Sequence, residues 1–173
     1  MLTLLILRHA KAGSDRPGLR DIDRPLAPRG REAAPLMGRF IAAHDMEPDL
    51  ILCSSAKRTR ETLDLARAEL MTAPEIIFTE DLYLAEPEEI RAVILARAGS
   101  HKRVMVIGHN PGVQELALEL AGAGRRSDLE AIRTKFPTAG LAVLNFTATR
   151  WAEATPKTGI LRLFMSPRRL PVA

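Results

Sequence analysis

The sequence predicts an α/β fold, a largely parallel central sheet flanked by helices. Three observations lead there. Short apolar runs alternate with helical segments along most of the chain, the pattern of strand–helix–strand units. The 173 residues are 46% hydrophobic, enough to bury a core in one domain spanning residues 1–173 without staples. Two of the runs end directly on histidine, the placement expected where a parallel sheet presents a ligand site.

Leu2–Leu7 reads as the first strand and ends at Arg8-His9. Arg29–His44 carries Leu36, Met37, Phe40 and Ile41 at helical spacing, with Pro35 expected in or near its first turns. Asp49–Cys53 is the second strand and ends at Ser54-Ser55, whose hydroxyls read as helix caps. The helix they open, Ala56–Leu70, carries Leu63, Ala66 and Leu70. Ile76–Phe78 is a third, shorter strand. Pro87–Arg97 carries Ile90, Val93 and Ile94, with proline at its start and Gly99 just beyond its end. Val104–Ile107 is the fourth strand, ending at Gly108-His109, and Pro111–Leu120 follows as a helix with Asn110 as N-cap. Leu141–Phe146 and Ile160–Phe164 read as two late strands forming a hairpin pair. The tail from Arg168 to Ala173 is either a frayed end or a packing arm.

Composition excludes several classes. No run of about 18 apolar residues exists, so no membrane span is expected. The N-terminus lacks a basic region and a cleavage site, so no signal peptide is read. The single cysteine, Cys53, makes no internal disulfide and fits a reducing, cytoplasmic setting. The net charge is +4, and residues 1–31 alone hold seven cationic residues against Asp15, Asp21 and Asp23. Arginine exceeds lysine, which suits forked recognition of phosphate, although codon bias and a solvated loop explain the count equally well. With 4% aromatic residues, nucleic acid is not an expected partner.

If the strands are parallel neighbours, Arg8, His9, Arg58 and His109 converge on one spot. Two arginines and two histidines beside two helix N-termini make an anion site, and a dianionic phosphoryl group is its natural guest. Imidazole can attack phosphorus as a nucleophile, while arginines neutralise the equatorial oxygens. In this reading His9 attacks, Arg8 and Arg58 clamp, and His109 donates to the phosphoryl group.

The same residues carry a resemblance. Leu7-Arg8-His9-Ala10-Lys11 resembles the Arg-His signature of the histidine phosphatase superfamily, with alanine where many members have glycine. Ser54 to Thr62 is similar to its second motif, which contributes Arg58, and Val106-Ile107-Gly108-His109-Asn110 to its second histidine motif. Within the superfamily the chain resembles the short SixA-type phosphohistidine phosphatases. Asp23-Arg24-Pro25-Leu26 with Gly30 matches their early loop, and Phe136-Pro137-Thr138-Ala139-Gly140 a late one. The resemblance implies a three-layer, phosphoglycerate mutase-like fold. It also implies transient phosphorylation of His9, a pocket of Arg8, Arg58 and His109, and a further substrate-binding arginine at Arg24. A phosphorylated protein, such as a histidine-phosphorylated signalling domain, or a small phosphorylated molecule is the implied partner. No cofactor or metal is implied.

One absence bears on the substrate. Superfamily members acting on esters usually place an acid after the third strand, in a segment with glycine and tryptophan. Here Thr79 to Glu86 offers Glu80, Asp81 and Glu86 without that context. An alkoxide leaving group needs a proton donor, whereas phosphohistidine can lose neutral imidazole. Phosphohistidine is therefore the expected substrate, with one of those three acids as donor to an ester the competing reading. A non-catalytic phospho-ligand binder is a third reading, opposed by His9, since anion binding needs no nucleophile. Cys53 and Arg58 are one residue too close for a cysteine-phosphatase loop, and Cys53 reads as a small buried hydrophobe. P-loop, nucleophile-elbow and His-Glu-x-x-His patterns are absent.

Overall fold

The computed structural model describes residues 1–14 and 16–172; Asp15 and the terminal Ala173 lie outside them. In chain order the elements are β1 (Leu2–Arg8), α1 (Pro28–Ala43), β2 (Leu50–Ser54), α2 (Lys57–Arg67), β3 (Glu75–Thr79) and α3 (Pro87–Arg97). There follow β4 (Arg103–Gly108), α4 (Gly112–Leu120), β5 (Ala121–Gly124), α5 (Arg126–Thr134), β6 (Leu141–Phe146) and β7 (Gly159–Met165). The strands form a seven-stranded sheet in the order β3-β2-β4-β1-β6-β7-β5. Only β6 runs against the rest, pairing antiparallel with β1 and β7. The sheet is thus mostly parallel, and the two late strands do pair.

Alternate residues of β1 explain the three layers. Leu4 and Ile6 face a core shared with Ile90 and Val93 of α3 and Leu116 of α4. Leu5 and Leu7 face the opposite core, shared with Met37, Phe40 and Ile41 of α1 and Leu63 of α2. Because both faces are covered, the strand is apolar at four successive positions, Leu4 to Leu7, rather than at every second one. Fully burying each such side chain contributes roughly 1.5–3 kcal/mol.

Several local expectations are corrected. Pro28 occupies the first-turn proline slot of α1, so Pro35 falls inside the helix instead of near its start. Asn110 is not an N-cap: its side-chain amide donates to the Phe136 carbonyl at 3.0 Å, and α4 begins after Pro111 without a side-chain cap. Ala56 holds the N-cap position of α2; Ser54 Oγ accepts the Ala56 N–H at 3.3 Å, while Ser55 makes no capping bond. The sequence reading also missed β5 and α5. The first is Ala-Gly-Ala-Gly at the sheet edge; the second is strongly charged and buries only Asp128 and Ile132. The tail packs: Arg169 bonds Asp128 at 2.9 Å and the Phe164 carbonyl at 2.8 Å. Among the described residues no helix is long and apolar enough to cross a membrane.

Candidate active site

Parallel pairing brings the strand ends together. Arg8 of β1 lies opposite Gly108 of β4, so His9 and His109 leave the sheet side by side. Their ring centroids are 5.3 Å apart. The neighbouring β2 ends at Ser54, and the first turn of α2 turns Arg58 back toward the same place, 4% exposed. A cavity of about 360 Å³ lies there, lined by Arg8, His9, Arg24, Arg58 and His109, with Lys11, Asp21, Leu84, Asn110 and Thr138. All five residues expected from the sequence therefore line one pocket at the carboxyl edge of the sheet.

The pocket is built by three local devices. On one face of α2, Arg58 lines the cavity, Glu61 accepts the Leu26 N–H at 3.1 Å, and Thr62 Oγ1 accepts the Ala10 N–H at 3.0 Å. Spacings of three and four residues make these neighbours on a helix. The late loop clasps the other side of His9: Ala139 N–H meets the carbonyls of Arg8 and His9 at 3.1 and 3.0 Å. The Phe136 carbonyl accepts both Arg8 Nη1 and Asn110 Nδ2. Finally, Gly30 in α1 packs on the chain after His9, where an added Cβ would meet the Lys11 carbonyl oxygen at 2.2 Å. That contact explains the glycine following the early loop.

Protonation follows from hydrogen bonds and burial. His9 Nδ1 lies 2.7 Å from the Ala10 carbonyl oxygen, which can only accept, so Nδ1 carries the proton and Nε2 keeps its lone pair. Burial, with Arg58, Arg8 and Arg24 nearby, pushes the His9 pKa down to about 4, against the opposing pull of the Ala10 bond. Burial together with the charges of His9 and Arg58 lowers that of His109 to about 3. Both rings are neutral at pH 7. His109 Nε2 lies 2.7 Å from Ser54 Oγ, and its buried Nδ1 has no partner among the described residues. Ser54 Oγ accepts from Ala56 and keeps both a hydrogen and a second lone pair, so it can partner either tautomer of His109. Arg8 Nε is likewise buried without a partner among the described residues.

Asp21 was not foreseen as a site residue. It sits in a 3-10 turn, Asp21–Asp23, with its carboxylate bonded by Arg58 Nη2 at 3.0 Å and Arg24 Nη1 at 3.1 Å. Tyr83 OH donates to it in a very short bond, and Arg58 Nη1 donates to its backbone carbonyl at 2.7 Å. The Tyr83 bond, with those of Arg24 and Arg58, holds the carboxyl well below the usual carboxylate range despite some burial. Tyr83 also meets the His109 ring edge-on, centroids 5.4 Å apart, and lies under Arg58. The available signals were faint: Asp21 precedes Arg24 by three residues, and Tyr83 is the single tyrosine. Arg24 is anchored by the Gly13 carbonyl at 2.8 Å as well as by Asp21. Glu80, Asp81 and Glu86 do not line the cavity, and Glu86 instead forms the capping box of α3 with Glu89. Cys53 points into the core between sheet and α1, where burial pushes its thiol pKa up. Among the described residues, no group of three or more His, Cys, Asp or Glu side chains is gathered to hold a metal.

Known proteins share this fold. The family model described as histidine phosphatase superfamily (branch 1) matches residues 4–83, which include Arg8, His9, Arg24 and Arg58. A protein of Mycobacterium leprae is 37% identical over 166 residues, 94% of this chain and 100% of that protein. The crystal structure of SixA from Agrobacterium tumefaciens superposes with a TM-score of 0.81 at 31% identity, covering 96% of this chain and 98% of that one. The chain belongs to the histidine phosphatase superfamily. Its fold is the phosphoglycerate mutase-like fold of that superfamily. A SixA protein in complex with tungstate shares it at a TM-score of 0.77 and 23% identity, over 98% of this chain and 100% of that one. Membership and the SixA likeness support a phosphatase, a hydrolase acting on a phosphorylated substrate.

Proposed function

We propose that this protein removes the phosphoryl group from phosphohistidine in a protein, through a phosphoryl-enzyme on His9. His9 Nε2 attacks phosphorus while the P–N bond to the substrate imidazole breaks. Arg8, Arg58 and His109 hold the equatorial oxygens, and Arg24 adds charge at the rim. Water then hydrolyses the N–P bond on His9, releasing phosphate and restoring the neutral ring. Arginine and imidazole donors supply the charge neutralisation that a metal gives elsewhere, so the reading includes no metal step.

The observation that carries the substrate class is the state of Asp21. It is the one carboxylate lining the cavity among the described residues, and Tyr83, Arg24 and Arg58 keep it ionised. An ionised carboxylate cannot protonate an alkoxide. A phosphohistidine whose second ring nitrogen carries a proton, as imidazolium does below a pKa of about 6.5, loses neutral imidazole with no proton from the enzyme. Similarity at 31% identity to two SixA proteins that bear the name phosphohistidine phosphatase supports the same reading.

The test compares kcat/KM on a phosphohistidine protein, an aryl phosphate and phosphoserine. The first two are expected to turn over and phosphoserine hardly at all. Equal kcat/KM for phosphoserine and phosphohistidine would overturn the substrate class. Glu80→Gln, Asp81→Asn and Glu86→Gln are each expected to change the phosphohistidine rate less than about tenfold, below the 10²–10⁴ of a general acid. Chelators are expected to leave the rate unchanged.

A further inference from the structure

A second cavity, about 590 Å³, opens beside the catalytic pocket and shares Lys11 and Thr138 with it. Its cations come from separate parts of the chain: Lys11 after β1, Arg29 in the first turn of α1, Lys135 after α5, and Arg168 and Arg169 after β7. No aspartate or glutamate among the described residues lines it. Arg169 is tied to Asp128, but among the described residues Lys11, Arg29, Lys135 and Arg168 make no ion pair, and all four are exposed. Between them the lining mixes apolar Ala131, Pro137 and Phe164 with Thr134 and Ser166. Gathering unpaired like charges around one groove is unfavourable unless an opposite charge covers them.

We propose that this groove docks an acidic face of the protein that carries the phosphoryl group, next to its phosphorylated side chain. The inference rests on the phosphohistidine reading above and adds to it a class of partner. Apolar and hydroxyl side chains ringed by charge are the anatomy of a protein interface. A single-stranded nucleic acid would need aromatic stacking faces, and the one aromatic ring lining the groove among the described residues, Phe164, is 3% exposed. Lys11 and Thr138 make the groove continuous with the pocket, so a substrate seated over His9 extends directly into it.

The test uses two synthetic peptides, each with one phosphohistidine, differing only in acidic or neutral flanking residues. The wild type is expected to favour the acidic peptide by at least about tenfold in kcat/KM, and the preference to shrink from about 50 to about 300 mM salt. Arg29→Glu, Lys135→Glu and Arg168→Glu together are expected to abolish the preference while aryl phosphate turnover stays within about twofold. If that variant is unstable, the corresponding glutamine substitutions are expected to shrink the preference. Equal turnover of both peptides, or a preference that survives these substitutions, overturns the groove and leaves the phosphohistidine reading standing. If neither peptide is hydrolysed, that reading fails, and inhibition of aryl phosphate turnover decides the groove. At least tenfold tighter inhibition by the acidic peptide then supports it, and equal inhibition overturns it. A single-stranded oligonucleotide inhibiting as strongly through the same three residues overturns the protein partner.

Discussion

His9 has one nitrogen bonded to the Ala10 carbonyl and the other open, in a site where burial and arginines keep the ring neutral. A neutral imidazole beside several cations is poorly placed for storage of charge and well placed to meet a phosphoryl dianion. His9→Ala is expected to lower kcat by at least about a thousandfold while unfolding stays cooperative, measured by steady-state kinetics and urea titration. Activity within about tenfold of wild type would remove His9 from the nucleophile's role. Arg58 is expected to act on binding. Its guanidinium is buried and ordered by Asp21, so it presents fixed donors. Arg58→Ala is expected to raise the inhibition constants for vanadate and phosphate at least about tenfold; an unchanged constant would place the anion elsewhere.

The strand ends were readable at the level of elements because each short apolar run stops at a chemically distinctive residue. Arg8-His9 and Gly108-His109 needed only the assumption of parallel neighbours, which the Arg8–Gly108 register satisfies. What was not readable depends on contacts between distant segments. Asp21 and Tyr83 meet across 62 residues, and the Ser54–His109 bond spans 55. The strand β5 escaped because alanine and glycine carry no strand pattern, and Asn110 was misassigned because its partner Phe136 lies far along the chain. The face of α2 carrying Arg58, Glu61 and Thr62 was partly visible as spacing, but its work is to hold the loops on either side of the pocket. Thr62→Val leaves the Ala10 N–H without its acceptor and is expected to destabilise by about 1–3 kcal/mol. Its kcat should fall more than its KM changes, since His9 adjoins that bond. Gly30→Ala drives a methyl into the Lys11 backbone and is expected to destabilise by about 1–3 kcal/mol, measured by urea unfolding.

Across the whole molecule, the sheet concentrates cationic and ionisable groups at one edge while both cores stay apolar. Acid therefore acts on folding through the pocket. The folded values of His9 and His109, about 4 and about 3, lie below the ordinary 6.5 of an unfolded chain. Above pH 6.5 neither state binds these protons and the stabilising term is complete. As pH falls from 6.5 toward 4, the unfolded chain takes up protons that the native pocket refuses, so stability declines. The decline from these rings levels off below about pH 3, where the native rings also become protonated. Asp21, held ionised in the fold, adds its own loss only below the ordinary carboxylate range. The melting temperature is expected to drop by on the order of 5–10 °C between pH 7 and pH 5. The double variant His9→Gln, His109→Gln is expected to show a shallower slope over that interval; an unchanged slope would assign the acid sensitivity to other groups. Saturating phosphate provides an independent check. An anion in the pocket opposes the arginine charges and raises both imidazole values toward 6.5, so the same interval should flatten with phosphate present.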